Sequence, residues 1–343
     1  MWSQTDIADR PLIENDGPRA AERLFLAATQ SAGVKTAFLK AALAQAGLLS
    51  DSKLRRFGAS ANTLPIKSAC QKQSHLNENG APLQTCLSHS PLTGQTEFRF
   101  LLDPFFDADP AERHTKSLSL AGQLTQALGH HRIMDRIAQK TNACTAGTLW
   151  LAGRFKPAQK PFRDGVAVYL NAEAFAGWGL VSVLSEFLPA NAIRDRFLQG
   201  WLSTARPVCL AVEFGPQPSK PRMKLYLRMA TVGPQHMLHE LASGGGGSFG
   251  FDILQPQAAW PASGLTIGLS FDPRTGALDG IKVDFCLCPA CRKAAQLKSP
   301  PEEQLLGAVP RAVHMLNAGK LALLGFGIAG KGQRMNAYFE PQL

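Results

Sequence analysis

No stretch of this 343-residue chain approaches the ~18 to 20 consecutive apolar residues that a membrane-crossing helix needs. The opening Met1-Trp2-Ser3-Gln4-Thr5-Asp6 lacks the basic-then-apolar layout of a secretory leader. The chain is expected in the cytoplasm, without a membrane partner. Also missing are any block of five or six consecutive basic residues, any zinc-finger spacing and any RNP-like motif, although Lys and Arg outnumber Asp and Glu by 36 to 26. The surplus of +10 calls for an anionic partner, and its lack of clustering points away from nucleic acid. The seven cysteines are odd in number and scattered (Cys70, Cys86, Cys144, Cys209, Cys286, Cys288, Cys291), which excludes a disulfide framework and predicts thiols.

Motifs for metals and nucleotides are incomplete. Cys288 and Cys291 form a CxxC beside Cys286, but no second pair or neighbouring histidine supplies four ligands, so buried or surface thiols are expected rather than a metal site. His236 and His239 beside Glu240 lack the HExxH order, and Asp103, Asp107 and Asp109 contain no DDxxD. Gly325 to Lys331 has the spacing of a phosphate loop, yet Gly332 follows where Ser or Thr should hold magnesium, and only 11 residues remain. A hairpin turn is the better reading. The GxGxxG at Gly245 to Gly250 follows a predicted helix, not a strand.

What remains is a composition of 45% hydrophobic and 18% charged residues, that of a globular protein with a substantial core. Residues 1–17 read as a loose arm, and 18–343 as a single domain with a helical lead-in over 18–80 and repeats over 81–343. Two amphipathic helices are expected between Arg19 and Leu49, split near Gly33, with 50–80 irregular. In Arg222-Met223-Lys224-Leu225-Tyr226-Leu227, polar and apolar residues alternate, so on a strand Arg222, Lys224 and Tyr226 share one face. Strand pairs are predicted at Pro82–His89 with Thr96–Leu102, Thr148–Lys156 with Gly165–Asn171, and Val208–Gly215 with Arg222–Met229. Two more are predicted at Leu265–Phe271 with Lys282–Leu287 and at Leu321–Ile328 with Arg334–Phe339. Between them lie helices predicted over 117–139, 180–202 (interrupted at Pro189), 235–242 and 302–318.

The pairs begin 66, 60, 57 and 56 residues apart, which suggests a structural repeat. Short turns imply antiparallel pairing, and ten such strands could close into an α+β barrel with helices outside and a lumen wide enough for a ligand. Its inner face would collect cations and phenols, which suits a small, strongly anionic ligand.

On these features the chain resembles the ABBA-type prenyltransferases, nearest the dimethylallyltryptophan synthase branch and its bacterial relatives. About five αββα repeats there close a ten-stranded antiparallel barrel. Cys209-Leu-Ala-Val-Glu-Phe-Gly, a turn and the Arg222 strand are similar to the family's third-repeat strand pair. The resemblance implies a transferase of EC 2.5.1 type in secondary metabolism. It would move a dimethylallyl or geranyl group from its diphosphate, the co-substrate, to an aromatic acceptor such as an indole or phenol, a cyclic dipeptide or a peptide side chain. It further implies that Arg222, Lys224 and Tyr226 hold the diphosphate, joined by Arg99, Tyr169 and Tyr338, with Arg334 a weaker addition. No cofactor or metal is then required, and magnesium at most stimulates.

The chain departs from the family pattern. Ala167 stands where family members carry a lysine, and Lys282 could replace that cation, with Asp284 two residues on where an aromatic residue is usual. Gln84 stands where indole prenyltransferases place a glutamate for the indole N–H; it can accept a hydrogen bond but not act as a base at neutral pH. Glu97 is the nearest alternative carboxylate, and Lys156 matches a lysine proposed in the family to take the ring proton. The alternatives are a non-catalytic barrel for an anionic metabolite and a basic nucleic-acid-binding protein.

Overall fold

The structure is a computed structural model. It describes residues 83–106, 108–144, 146–155, 162, 165–175, 179–216, 221–230, 250–255, 260–329 and 332–341, with 23, 24, 27, 28, 74, 76 and 77 ahead of them. The predicted arm, nearly all of the lead-in, the 235–242 helix, the 245–249 glycines, Lys156 and Lys331 lie outside the described residues.

Ten strands form one closed antiparallel barrel. They are β1 (Leu83–His89), β2 (Thr96–Leu102), β3 (Leu149–Phe155), β4 (Val166–Asn171), β5 (Ala205–Phe214), β6 (Arg222–Met229), β7 (Leu265–Phe271), β8 (Leu278–Cys286), β9 (Gly319–Ala329) and β10 (Gly332–Pro341). Each strand pairs with its sequence neighbours, and β1 closes the ring on β10 through Thr85↔Phe339 to His89↔Met335. All five predicted strand pairs are present. The boundaries that moved have local causes. β5 starts at Ala205 because its register shifts between Pro207 and Cys209, a bulge that accommodates a residue without an N–H. β8 starts at Leu278, ahead of the Asp279-Gly280 pair that reads as a turn in sequence.

Helices connect the hairpins: α1 (Pro110–Ala127), α2 (His131–Ala138), α3 (Leu180–Phe187), α4 (Ala192–Leu202), α5 (Pro289–Ala295), α6 (Pro301–Ala308) and α7 (Val313–Ala318). The Asp109 carboxylate caps α1 by accepting from the amides of Ala111 and Glu112 at 3.0 Å, with Pro110 in the first turn. The single helix predicted over 117–139 is two, because Gly129 takes a left-handed φ of 78° between α1 and α2. Pro310 likewise divides the 302–318 segment, whereas α5 has no counterpart in the sequence reading.

Strand alternation sorts the core. Leu87, Phe100, Leu151, Val168, Leu210 and Leu225 point outward and share one buried cluster with Leu120 and Leu124 of α1, Ile137 of α2 and Leu184 of α3. Residues of opposite parity (Cys86, Leu101, Ala152, Cys209, Ala211, Tyr226) form two smaller clusters on the inner side. The helices therefore cover the outside, and the polar partners of the alternation are left to the lumen. No helix among the described residues is long and apolar enough to cross a membrane.

Candidate active site

The chain has only three tyrosines, and all three face the lumen. The Tyr169 and Tyr226 rings meet at 5.8 Å between centroids, tilted by 40°. Tyr226 has Gly268 as its register partner, which in turn faces Lys282. The Lys282 ammonium lies 5.3 Å from the Tyr226 ring centroid and 5.0 Å from that of Tyr338, and donates to the Tyr338 hydroxyl at 2.7 Å. Burial raises all three phenol pKa values, Tyr169 to about 12 with Glu213 reinforcing the rise. At neutral pH they are hydrogen-bond donors.

Cations surround this group, each held by a carboxylate. Arg99 donates to Glu97 at 2.7 Å, and Glu97 also lies 3.6 Å from Arg154 and 3.8 Å from Arg334. Arg222 donates to Asp279 at 2.7 Å, Lys224 to Glu213, and Lys282 lies 2.7 Å from Asp284. Six cations thus face four carboxylates, a surplus of two. Burial alone would raise the Glu213 pKa, but Lys224, Arg99 and Arg222 outweigh it and hold the group at about 2. Burial also works against ionisation of Glu97, yet Arg99, Arg154 and Arg334 bring its pKa below the ordinary value. A carboxylate shared by three guanidiniums is a weak proton acceptor.

A cavity of about 350 Å³ opens among Arg99, Arg154, Ala167, Tyr169, Glu213 and Arg222. Ala167, the position where the family pattern has a lysine, is part of its lining. Arg154, paired in register with Arg99, brings a cation to the same wall. Of the residues expected to bind diphosphate, Arg99, Tyr169 and Arg222 line this cavity, while Lys224 touches it through Glu213. Tyr226, Lys282 and Tyr338 form a second group next to it, joined through the Tyr169 ring. Arg334 is half exposed at the rim. Gln84 is buried and donates to Asn77 at 3.0 Å, and Asn77 in turn donates to the Leu83 carbonyl at 2.6 Å.

Four site residues were given no role in the sequence reading: Arg154, Glu213, Asp279 and Asp284. Arg154 and Asp284 lie on the polar face that alternation turns inward, Glu213 shares parity with Ala211, and Asp279 meets Arg222 from ahead of the predicted strand. Asp284 is distinctive. One carboxylate oxygen meets Lys282, while Oδ1 is buried with no hydrogen-bond partner among the described residues. A Cβ on Gly325 would come within 1.9 Å of that oxygen, so only glycine leaves room for it. Gly325 and Gly327, the start of the apparent phosphate loop, are strand residues of β9.

The residues able to hold phosphates are therefore arginines, a lysine and phenols fixed on rigid strands, an arrangement suited to stabilising a leaving anion without reorganisation.

No family model matches the sequence, and no curated protein matches it. Solved structures do. The 5-dimethylallyltryptophan synthase from Streptomyces coelicolor superposes with a TM-score of 0.64 at 16% identity, covering 97% of this chain and 99% of that one. AnaPT from Neosartorya fischeri gives 0.53 at 12%, covering 90% and 92%. NotF in complex with brevianamide F and DMSPP gives 0.54 at 14%, covering 99% and 98%. The chain has the fold of these enzymes, the closed αββα barrel of the ABBA-type, or PT-barrel, prenyltransferases.

Proposed function

We propose that this protein transfers a prenyl group, dimethylallyl or geranyl, from its diphosphate to an electron-rich acceptor of indole type inside the barrel. The observation that carries this reading is the gathering of every tyrosine with Arg99, Lys224 and Lys282 on the inner face, with Arg154, Arg222 and Arg334 completing the set toward the rim.

In this reading the bond between the allylic carbon and the diphosphate oxygen breaks, and its electron pair leaves with the diphosphate. Arg99, Arg154, Arg222 and Lys224 receive that charge, with Tyr169 donating from the same wall. The rings of Tyr169, Tyr226 and Tyr338 flank the allyl cation and hinder its capture by water. The π electrons of the acceptor form the new bond, and the ring proton then passes to a base. Asp284 is the candidate for that last role, since its buried Oδ1 has no hydrogen-bond partner among the described residues, and Gln84, steadied by Asn77, offers an amide oxygen to an acceptor N–H. Glu97 acts here as the organiser of the arginines rather than as the base.

The test is incubation with dimethylallyl and geranyl diphosphates and a panel of indoles, phenols, cyclic dipeptides and peptides, read by mass spectrometry for a gain of one or two isoprene units. Turnover is expected to persist in chelator, since side-chain cations hold the donor. Donor binding with no acceptor modified across the panel would leave a non-catalytic barrel, and tight, salt-dependent binding to DNA or RNA would replace the reading altogether.

A further inference from the structure

Away from the cavity, three soft ligands converge. Cys286 ends β8, Cys288 is the N-cap of α5 and Cys291 lies in its first turn; their sulfurs lie within 4.8 Å of one another and all three residues are buried. The local sequence produces this convergence. Cys286, the last residue of β8, packs with the cluster under the helices, Pro289 starts α5, and the Cys288 sulfur accepts from the Cys291 amide at 3.4 Å, which turns the two later thiols onto the first. The sequence places Cys286 beside the CxxC but offers no fourth ligand, which is why thiols rather than a metal site are expected from it.

Two donors beside the cluster each have one unpartnered N–H, although the Arg228 guanidinium also donates to the Ser263 carbonyl at 2.9 Å. Trp260 Nε1 and Arg228 Nε are buried with no hydrogen-bond partner among the described residues. A Cβ on Gly264 would lie 2.7 Å from the Cys291 sulfur and 2.9 Å from Trp260 Nε1, so the missing side chain is what lets indole and sulfur approach each other. The Arg228 guanidinium is coupled electrostatically to both Cys286 and Cys291. Neutral thiols are weak acceptors for such donors, whereas thiolates are strong ones.

We infer that Cys286, Cys288 and Cys291 form a site for a zinc ion. Zinc–sulfur bonds of ~2.3 Å in tetrahedral geometry place sulfurs ~3.8 Å apart, a small contraction from the observed cluster. Three thiolates and one divalent zinc leave a single negative charge, which Arg228 balances. A monovalent copper ion would leave a second charge uncompensated in an apolar setting. On binding, three thiol protons leave to solvent as three zinc–sulfur bonds form, with no change of oxidation state. Among the described residues the fourth position is unfilled, open to water or a small external ligand. The ion would fasten α5 to the end of β8. None of the three cysteines lines the cavity, although Cys286 follows Asp284 by two residues on β8 and Asp284 also acts electrostatically on Arg228.

The full chain, produced without a histidine tag in zinc-supplemented medium and desalted, is expected to carry about one zinc per molecule by elemental mass spectrometry. Cobalt(II) is expected to give thiolate-to-metal charge-transfer absorption, and binding in weak buffer to release about three protons per ion. Cys286→Ala, Cys288→Ala and Cys291→Ala should each abolish the cobalt band. Wild-type protein with neither zinc nor a cobalt band overturns the inference, whatever the variants do. So does a metal-free chain lighter by two hydrogens with Cys288 joined to Cys291, or a chain that retains copper in preference to zinc.

Discussion

Lys282 donates a 2.7 Å hydrogen bond to the hydroxyl of Tyr338, a residue 56 positions further along the chain. The same ammonium lies 2.7 Å from the Asp284 carboxylate, so one cation links the strand that carries it to β10 and fixes the phenol's orientation. Lys282 and Asp284 are both largely buried.

Lys282→Met should therefore strand a buried carboxylate and lower stability by roughly 3 kcal/mol, the scale for breaking a buried ion pair from one side. The double variant Lys282→Met, Asp284→Leu should recover most of the loss. Urea midpoints for the three proteins check this, and equal losses in the single and double variants would contradict it.

Glu213 sets an acid dependence. Its folded pKa of about 2 lies below the ordinary carboxylate value, so the stability it contributes is full above ~4.5 and is lost as pH falls toward ~2. Glu213→Gln, which leaves Lys224 without its partner, should be less stable than wild type at pH 7. The gap should narrow steadily between pH 4.5 and 2. Denaturation curves across that window measure it, and a gap independent of pH would refute the assignment.

For the proposed chemistry, Arg222→Ala and Lys224→Ala should each reduce turnover at least ~100-fold, the cost of removing one donor to a developing anion. Arg154→Ala should weaken donor binding as well. Steady-state kinetics with dimethylallyl diphosphate decide, and near wild-type rates in the first two variants would remove the diphosphate site from this wall.

Because every tyrosine is in the lumen, tyrosinate absorbance reports on that space alone. Unfolded chain should be half ionised near pH 10, while the native protein should show little change there, since burial raises all three phenols and carries Tyr169 to about 12. An ultraviolet titration with and without urea makes the comparison. Raised phenol values also mean that stability falls as pH climbs past 10, where only the unfolded chain ionises freely.

Gly325→Ala places a carbon within 1.9 Å of Asp284 Oδ1 and should destabilise the barrel by ~1 to 3 kcal/mol, the range for overpacking. Adding Asp284→Ala should relieve most of that penalty. Additive losses in the double variant would show that the carboxylate is not what the methyl group meets.

Much of the barrel was legible because alternation is a local property. Arg222, Lys224 and Tyr226 declare a shared face from spacing alone, and strand pairs recurring at near-equal intervals imply a ring before any contact is known. The same parity placed Arg99, Tyr169 and Tyr338 inward. What stayed hidden depends on partners distant in sequence. Arg222 meets Asp279 57 residues on, and Glu97 is shared by arginines from three different strands, neither of which follows from spacing. In sequence Asp284 is an inward polar residue and a departure from the family pattern, but its significance depends on the bare backbone of Gly325 across the strand pair. Helix breaks at Gly129 and Pro310 were readable in principle, but amphipathic periodicity ran across them and concealed both.

The pairing of β1 with β10 has a consequence for how this molecule is made. The residue at position 85 waits for the one at 339, so a ribosome releases four hairpins and a half before the first edge finds its mate. Until then two rows of unpaired amides and carbonyls face water, inviting intermolecular pairing. A premature stop just ahead of Gly332 removes few residues but leaves both edges open for good, and such a chain is expected to accumulate as aggregate.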